Sequence, residues 1–223
     1  MTYYQELLQA TENERNALLA APVITDCMQS VITLETYQAF LSEAYHHVRH
    51  TVPLLMACGS RLPRRLEWLR EAVAEYIDEE TGHQEWILND ITACGGDKEA
   101  VRNGNPAMAT DIMVAYAWDC VQRRNPVSFF GMVLVLEGTS VRLATEAADT
   151  IQSTLDLPRN AFSYLSSHGS LDLEHIDFYE TLVNRLEEPD DRAAVLNTAR
   201  VMYKLYRDVF KSLPRGMTRQ QAA

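Results

Sequence analysis

Apolar residues recur along the chain at steps of three and four, the spacing of helices with one buried stripe, and no alternating run bounded by hairpin turns interrupts them. Proline, glycine and capping side chains divide this pattern into helices. A first helix is expected over about 3–20, ending before Pro22. A second follows Thr33 over about 34–56, with Pro53 kinking it or ending it early. A long third starts near Pro63 and stops at Gly95-Gly96, which can supply a left-handed cap. Asn105-Pro106 and Asn125-Pro126 each place a capping side chain before a proline and start the fourth and fifth. Pro158 opens a sixth. Glu188-Pro189-Asp190-Asp191 breaks the chain and caps a last helix reaching about Leu213, and 214–223 reads as a flexible tail. The expected fold class is all-α, one helical domain over 1–213.

A chain of 223 residues, 47% of them hydrophobic, can close one sizeable core. Its net charge of −11 would repel nucleic-acid backbones and anionic membrane surfaces, so neither is expected as a partner. The longest apolar run, Phe129 to Leu136, is far short of the roughly 20 residues of a membrane span. The start of the chain has no apolar signal region. A cytoplasmic protein is expected. Cys27, Cys58, Cys94 and Cys120 are widely spaced with no C-x-x-C pair, which reads as buried thiols rather than a disulfide framework or zinc knuckle.

The most specific chemical pattern is His168-x-x-x-Asp172-x-x-His175. At roughly 100° per residue the three side chains fall within about 60° of one another on a helix, so two imidazoles and a carboxylate point one way. Leu171, Leu173, Ile176 and Phe178 surround them with apolar residues; a solvated polar face is the plainer alternative. On the third helix, Glu80-x-x-His83 places a carboxylate and an imidazole about a turn apart, as in carboxylate-bridged metal sites of helical bundles. Glu79 competes with Glu80 for that role, and an exposed acidic face would account for all three. Glu137 ends the apolar run SFFGMVLVL, where an unpaired charge is costly, so it either holds a proton, coordinates something or pairs with an arginine such as Arg142.

Three imidazoles and three carboxylates make an N/O donor set suited to iron or manganese. Two divalent ions would outweigh the three carboxylates in charge, leaving a surplus able to stabilise an anion. Gly82, Gly138 and Gly169 each adjoin a proposed ligand. Each costs about 1 kcal/mol in a helix interior relative to alanine, which close helix approach or a hinge would explain.

The order E-x-x-H, then E-G after an apolar run, then H-x-x-x-D-x-x-H, over Glu80 to His175, resembles the heme-oxygenase-like diiron oxidases, whose relatives include thiaminase-like and pyrroloquinoline-quinone-synthase-like proteins. The resemblance implies a heme-oxygenase-like bundle of about seven helices, two irons cycling between Fe2+ and Fe3+ with manganese as the alternative, and O2-dependent oxidation or fragmentation of a small amine, amino acid or fatty acid. It places Glu80, His83 and His168 on one iron, Asp172 and His175 on the other, and Glu137 between them. Heme is not expected, since heme oxygenases hold iron through a histidine early in the first helix and this chain has none before His46. A ferritin-like bundle would need two E-x-x-H motifs, and the chain has one.

Around the centre, Tyr45, His47, His50, Phe130 and Tyr164 are the candidates for a substrate pocket, from their nearness in sequence to the ligands. Glu43, His47 and His50 share a helix face. The alternative function is a non-catalytic helical small-molecule-binding or thiaminase-like protein with a vestigial metal site, although the Glu137 helix lacks the cysteine a thiaminase-like nucleophile needs. A symmetric homodimer is expected on general grounds.

Overall fold

A computed structural model describes the backbone of residues 1–215, and the side chains of all of these except 168–174. The described residues form twelve α-helical segments and three short 3-10 turns, with no strand among them. The all-α expectation holds. The segments outnumber the expected helices because several long ones are broken by identifiable local causes.

The first helix divides into α1 (Tyr3–Ala10) and α2 (Glu12–Leu19) at buried Thr11. The Thr11 hydroxyl donates to the Leu7 carbonyl at 2.7 Å, a back-bond that bends helices. Pro22 then takes the first position of α3 (Pro22–Met28). The expected 34–56 helix stops at Arg49-His50, giving α4 (Leu34–Val48) and α5 (Thr51–Arg61). Pro53 sits in the first turn of α5, where its missing N–H is not needed, so it helps start a helix rather than kink one. The long third helix is divided into α6 (Glu67–Glu80) and α7 (His83–Ala93) by Thr81 and Gly82, and Gly82 is left-handed at φ 99°.

Asp97 caps a short α8 (Lys98–Asn103) that precedes the expected fourth helix. At α9 (Met108–Arg123) the expected Asn105 cap is replaced by a tertiary one: the Ala107 N–H donates to the Glu43 carboxylate at 3.1 Å. Asn125 does cap, accepting from the Val127 N–H at 3.0 Å, but it opens a 3-10 turn that leads into α10 (Phe129–Leu155). A second 3-10 turn after Pro158 leads into α11 (Ser163–Asn184), and Pro189 takes the first position of α12 (Pro189–Ser212). In the expected tail, Arg215 pairs with Asp26 at 2.7 Å, and 216–223 lie outside the described residues.

Helix α10 is the axis of the fold, packed chiefly against α11 and α12. Its closest approach is at Gly131, where a Cβ would stand 2.5 Å from the Val195 carbonyl oxygen of α12. Only glycine permits that spacing. Together with the turn before it, α10 is long and apolar enough to cross a membrane, but 61% of its most apolar window is buried by other helices, as in a core helix. The buried apolar residues form two clusters, and Phe40 packs against both.

Candidate metal centre

Four helices converge on the proposed ligands. Glu80 ends α6 and His83 begins α7, so E-x-x-H does not lie on one continuous helix; the left-handed Gly82 turns the chain between them. The turn still brings His83 Nδ1 to 3.1 Å from Glu80 Oε2, with both side chains largely buried. The Trp86 ring lies 4.1 Å from the His83 ring, centroid to centroid, and limits its rotation. From α10, Glu137 brings a carboxylate whose side chain is only 12% exposed. From α11, His175 lies between two acids, with Nδ1 3.9 Å from Glu137 Oε1 and Nε2 3.2 Å from Glu79 Oε2.

One ligand-capable atom from each of Glu80, Glu137 and His175 lies within 4.8 Å of the others. Metal–N and metal–O bonds of about 2.1 Å put opposite ligands on one ion about 4.2 Å apart, so small side-chain rotations would close the three onto a single cation. The N/O donors fit iron. His168 and Asp172 lie on α11 but outside the described side chains. Arg142, the arginine the sequence offers to Glu137, lines a different cavity.

Two residues not singled out from sequence complete the surroundings. Tyr76 lies one turn before Glu80, its ring 6.0 Å from the His175 ring, its hydroxyl buried with no hydrogen-bond partner among the described residues. Burial, with Glu137 nearby, pushes its phenol pKa up. The step of four from Glu80 is the signal that could have found it. Asp90, fully buried on α7, accepts from the Ser163 N–H at 3.0 Å, the Ser163 hydroxyl and the Tyr164 N–H at 2.8 Å. It satisfies orphan donors at the start of α11 and so ties the helix bearing His83 to the one bearing His175. Burial outweighs those hydrogen bonds and raises its carboxyl pKa.

A cavity of about 150 Å³ opens beside Glu80 and Glu137. Its lining is mostly apolar, with Leu143, Met132 and Phe210 among the walls and no lysine or arginine among the described residues that line it. Of the pocket candidates, His47 and Tyr164 line it, and His47 packs edge-on to Tyr206 at 5.8 Å. The structure differs for the other three. Tyr45 packs in the core under Arg49, Phe130 is buried among Tyr76, Phe129 and Tyr179, and His50 Nδ1 accepts from Trp118 Nε1 at 3.3 Å. Glu43 also turns away, since its carboxylate holds Ala107 and Thr110.

Residues 38–207, most of the chain, match the profile of a family described as iron-containing redox enzymes. The chain belongs to that family. Three solved structures show how widely this redox-enzyme chain shares its fold. A domain of unknown function with a heme oxygenase-like fold from Shewanella denitrificans OS217 is 24% identical, with TM-score 0.82 over 93% of this chain and 90% of that one. A TenA homolog from Pseudomonas syringae pv. tomato DC3000 is 12% identical, with TM-score 0.77 over 94% and 91%. Heme oxygenase from Leptospira interrogans is 16% identical, with TM-score 0.76 over 96% and 100%. These likenesses establish the heme-oxygenase-like fold. No curated protein matches the sequence.

Proposed function

We propose that this iron-containing redox enzyme is a non-heme, two-iron oxidase that uses O2 to oxidise or fragment a small, largely apolar molecule. The observation that carries the reading is the meeting of Glu80, Glu137 and His175 within 4.8 Å of one another, with Glu80 and Glu137 on the wall of the apolar cavity. His83 beside Glu80 supplies a further donor, and His168 and Asp172 are proposed as the remaining ligands. Three or more protein ligands on separate helices describe a carboxylate-rich centre, which favours bare iron over a porphyrin. Bound iron would supply the redox chemistry with O2.

The chain's own residues then bind and orient. Among the described residues the cavity wall carries no lysine or arginine, so the polar end of a substrate is directed to the carboxylate and imidazole groups of the centre and its body to Met132, Leu143 and Phe210. His47 and Tyr164 are the polar contacts proposed to fix its orientation. Packed helices exclude bulk water from the ligands, which strengthens every electrostatic interaction among them.

Anaerobic titration of the metal-free protein with Fe(II), followed by rapid mixing with O2, tests the reading. About two irons per chain and an O2-dependent transient visible band are expected. An apolar ligand bound with no iron taken up would favour the second reading, a helical binding protein, which the apolar cavity alone would also serve.

A further inference from the structure

A second cavity, of about 170 Å³, lies on a different face of α10 from the metal-facing one. Leu134, Gly138 and Arg142 of α10 wall one side, with Tyr4 of α1, Arg15 of α2 and Tyr203 of α12 across from them. Two guanidiniums line this cavity, Arg15 part-buried and Arg142 at its exposed mouth, and among the described residues neither has a carboxylate within 4.0 Å. An anion entering the cavity would meet both charges.

The hydrogen bonding points the same way. Arg15 Nη1 donates to the Leu8 carbonyl at 3.0 Å, yet Arg15 Nε is buried with no hydrogen-bond partner among the described residues. A buried donor left over in this way marks a missing acceptor. Burial raises the phenol pKa values of Tyr4 and Tyr203, so both remain protonated and able to donate. At Gly138 an added Cβ would meet nothing within 4 Å, so the wall there is open space. Leu134 and Ile176 supply apolar surface beside these donors.

Donors on one side and hydrocarbon on the other describe a carboxylate with an apolar body. A planar guanidinium matches a carboxylate's two oxygens, whereas a fully hydrated phosphate would lose water against Leu134 and Ile176. A cavity of about 150 Å³ can hold a benzene ring, so an acid of benzoate size is the right scale. We propose that this arginine–tyrosine cavity binds a small apolar monocarboxylic acid, at a site separate from the metal-facing cavity. Gly138 follows Glu137 and Ile176 follows His175, so a bound acid bridges the α10–α11 seam directly behind two proposed ligands. The assignment does not depend on which metal, if any, the protein holds.

Calorimetric titration of the intact protein with sodium benzoate, and separately with inorganic phosphate, tests it. Saturable binding of about one benzoate per chain is expected, weakened at least about tenfold by Arg142→Gln or Arg15→Gln, the loss of one charged hydrogen-bonding partner. Gly138→Leu should fill the cavity and abolish binding with the helical circular dichroism retained, and Arg123→Gln, at the surface, should leave it unchanged. Benzoate binding that survives both Arg142→Gln and Gly138→Leu would place the acid elsewhere and overturn the proposal. So would an absence of saturable benzoate binding to the unsubstituted protein. Phosphate binding as tightly as benzoate, with the same arginine dependence, would make this a general anion site and overturn the carboxylate assignment.

Discussion

His83 Nδ1 stands 3.1 Å from Glu80 Oε2 across a break in the helix, and the left-handed backbone of Gly82 between them makes the approach possible. A Cβ at Gly82 would meet nothing within 4 Å, so the cost of replacing it is conformational alone. Gly82→Ala should destabilise the fold by about 1–2 kcal/mol and weaken metal uptake by moving His83 away from Glu80. Urea unfolding and iron content per chain, measured side by side, check both effects; unchanged values for each would show that the turn does not position the pair.

Glu137→Gln keeps the side chain's shape and removes its charge. Because the carboxylate lies against His175 at the meeting of three donors, the variant should fold and bind at least one iron fewer. His168→Ala and Asp172→Ala carry the same expectation. Circular dichroism with colorimetric iron determination reads it, and full iron retention in all three variants refutes the ligand assignment.

Asp90 should matter out of proportion to its distance from any metal. Asp90→Ala strands the Ser163 and Tyr164 donors, for a loss of about 2–3 kcal/mol, and loosens the start of α11. Its folded carboxyl pKa is raised above the ordinary 3.8. The folded state therefore holds the proton more tightly than the unfolded one, and Asp90's contribution to stability falls as pH rises from 3.8 through the raised value. Asp90→Asn should remove that part of the slope when unfolding free energy is followed against pH; an unaltered slope contradicts it.

The thiol of Cys27 lines the metal-facing cavity, and burial pushes its pKa up to about 11. Cys94 is raised to about 11 and Cys58 to about 12 by the same cause. All four cysteines are buried and free. With little thiolate present, iodoacetamide at pH 8 should modify the native protein slowly, whereas all four should react in denaturant. Mass spectrometry counts the adducts, and rapid native alkylation of Cys27 would mean the cavity is open to solvent and its thiol acidic.

Ala147 lies on the cavity wall away from the proposed ligands. Ala147→Phe should fill much of the space, so binding of an apolar fluorescent probe should fall several-fold while iron content stays at the unsubstituted level. Retained probe binding would show that the cavity is not where apolar molecules are held.

Much of the fold was legible because helices are local. Apolar spacing located α4, α10 and α12, and the Pro189 and Asn125 signals worked because a proline or an Asx side chain acts within a few residues of itself. The donor residue types at the candidate centre were legible for a similar reason, since Glu80 with His83 and the acid ending an apolar run are unusual within their own short segments.

Sequence alone determined the helical class, the acidic character of the chain and the local segments that carry Glu80, Glu137 and His175, all of which depend on neighbours in sequence. Tertiary structure decided the rest. Thr11, Gly82 and the Arg49-His50 junction break helices whose pattern runs straight through, because surrounding helices repay the lost backbone bonds. Glu43 caps α9 and Asp90 caps α11 from 64 and 73 residues away, and no local signal encodes a partner at that distance. The same applies to the pocket: His47 and Tyr164 reach the cavity while Tyr45, Phe130 and His50 do not, because the direction a side chain faces is set by what packs on the other side of its helix.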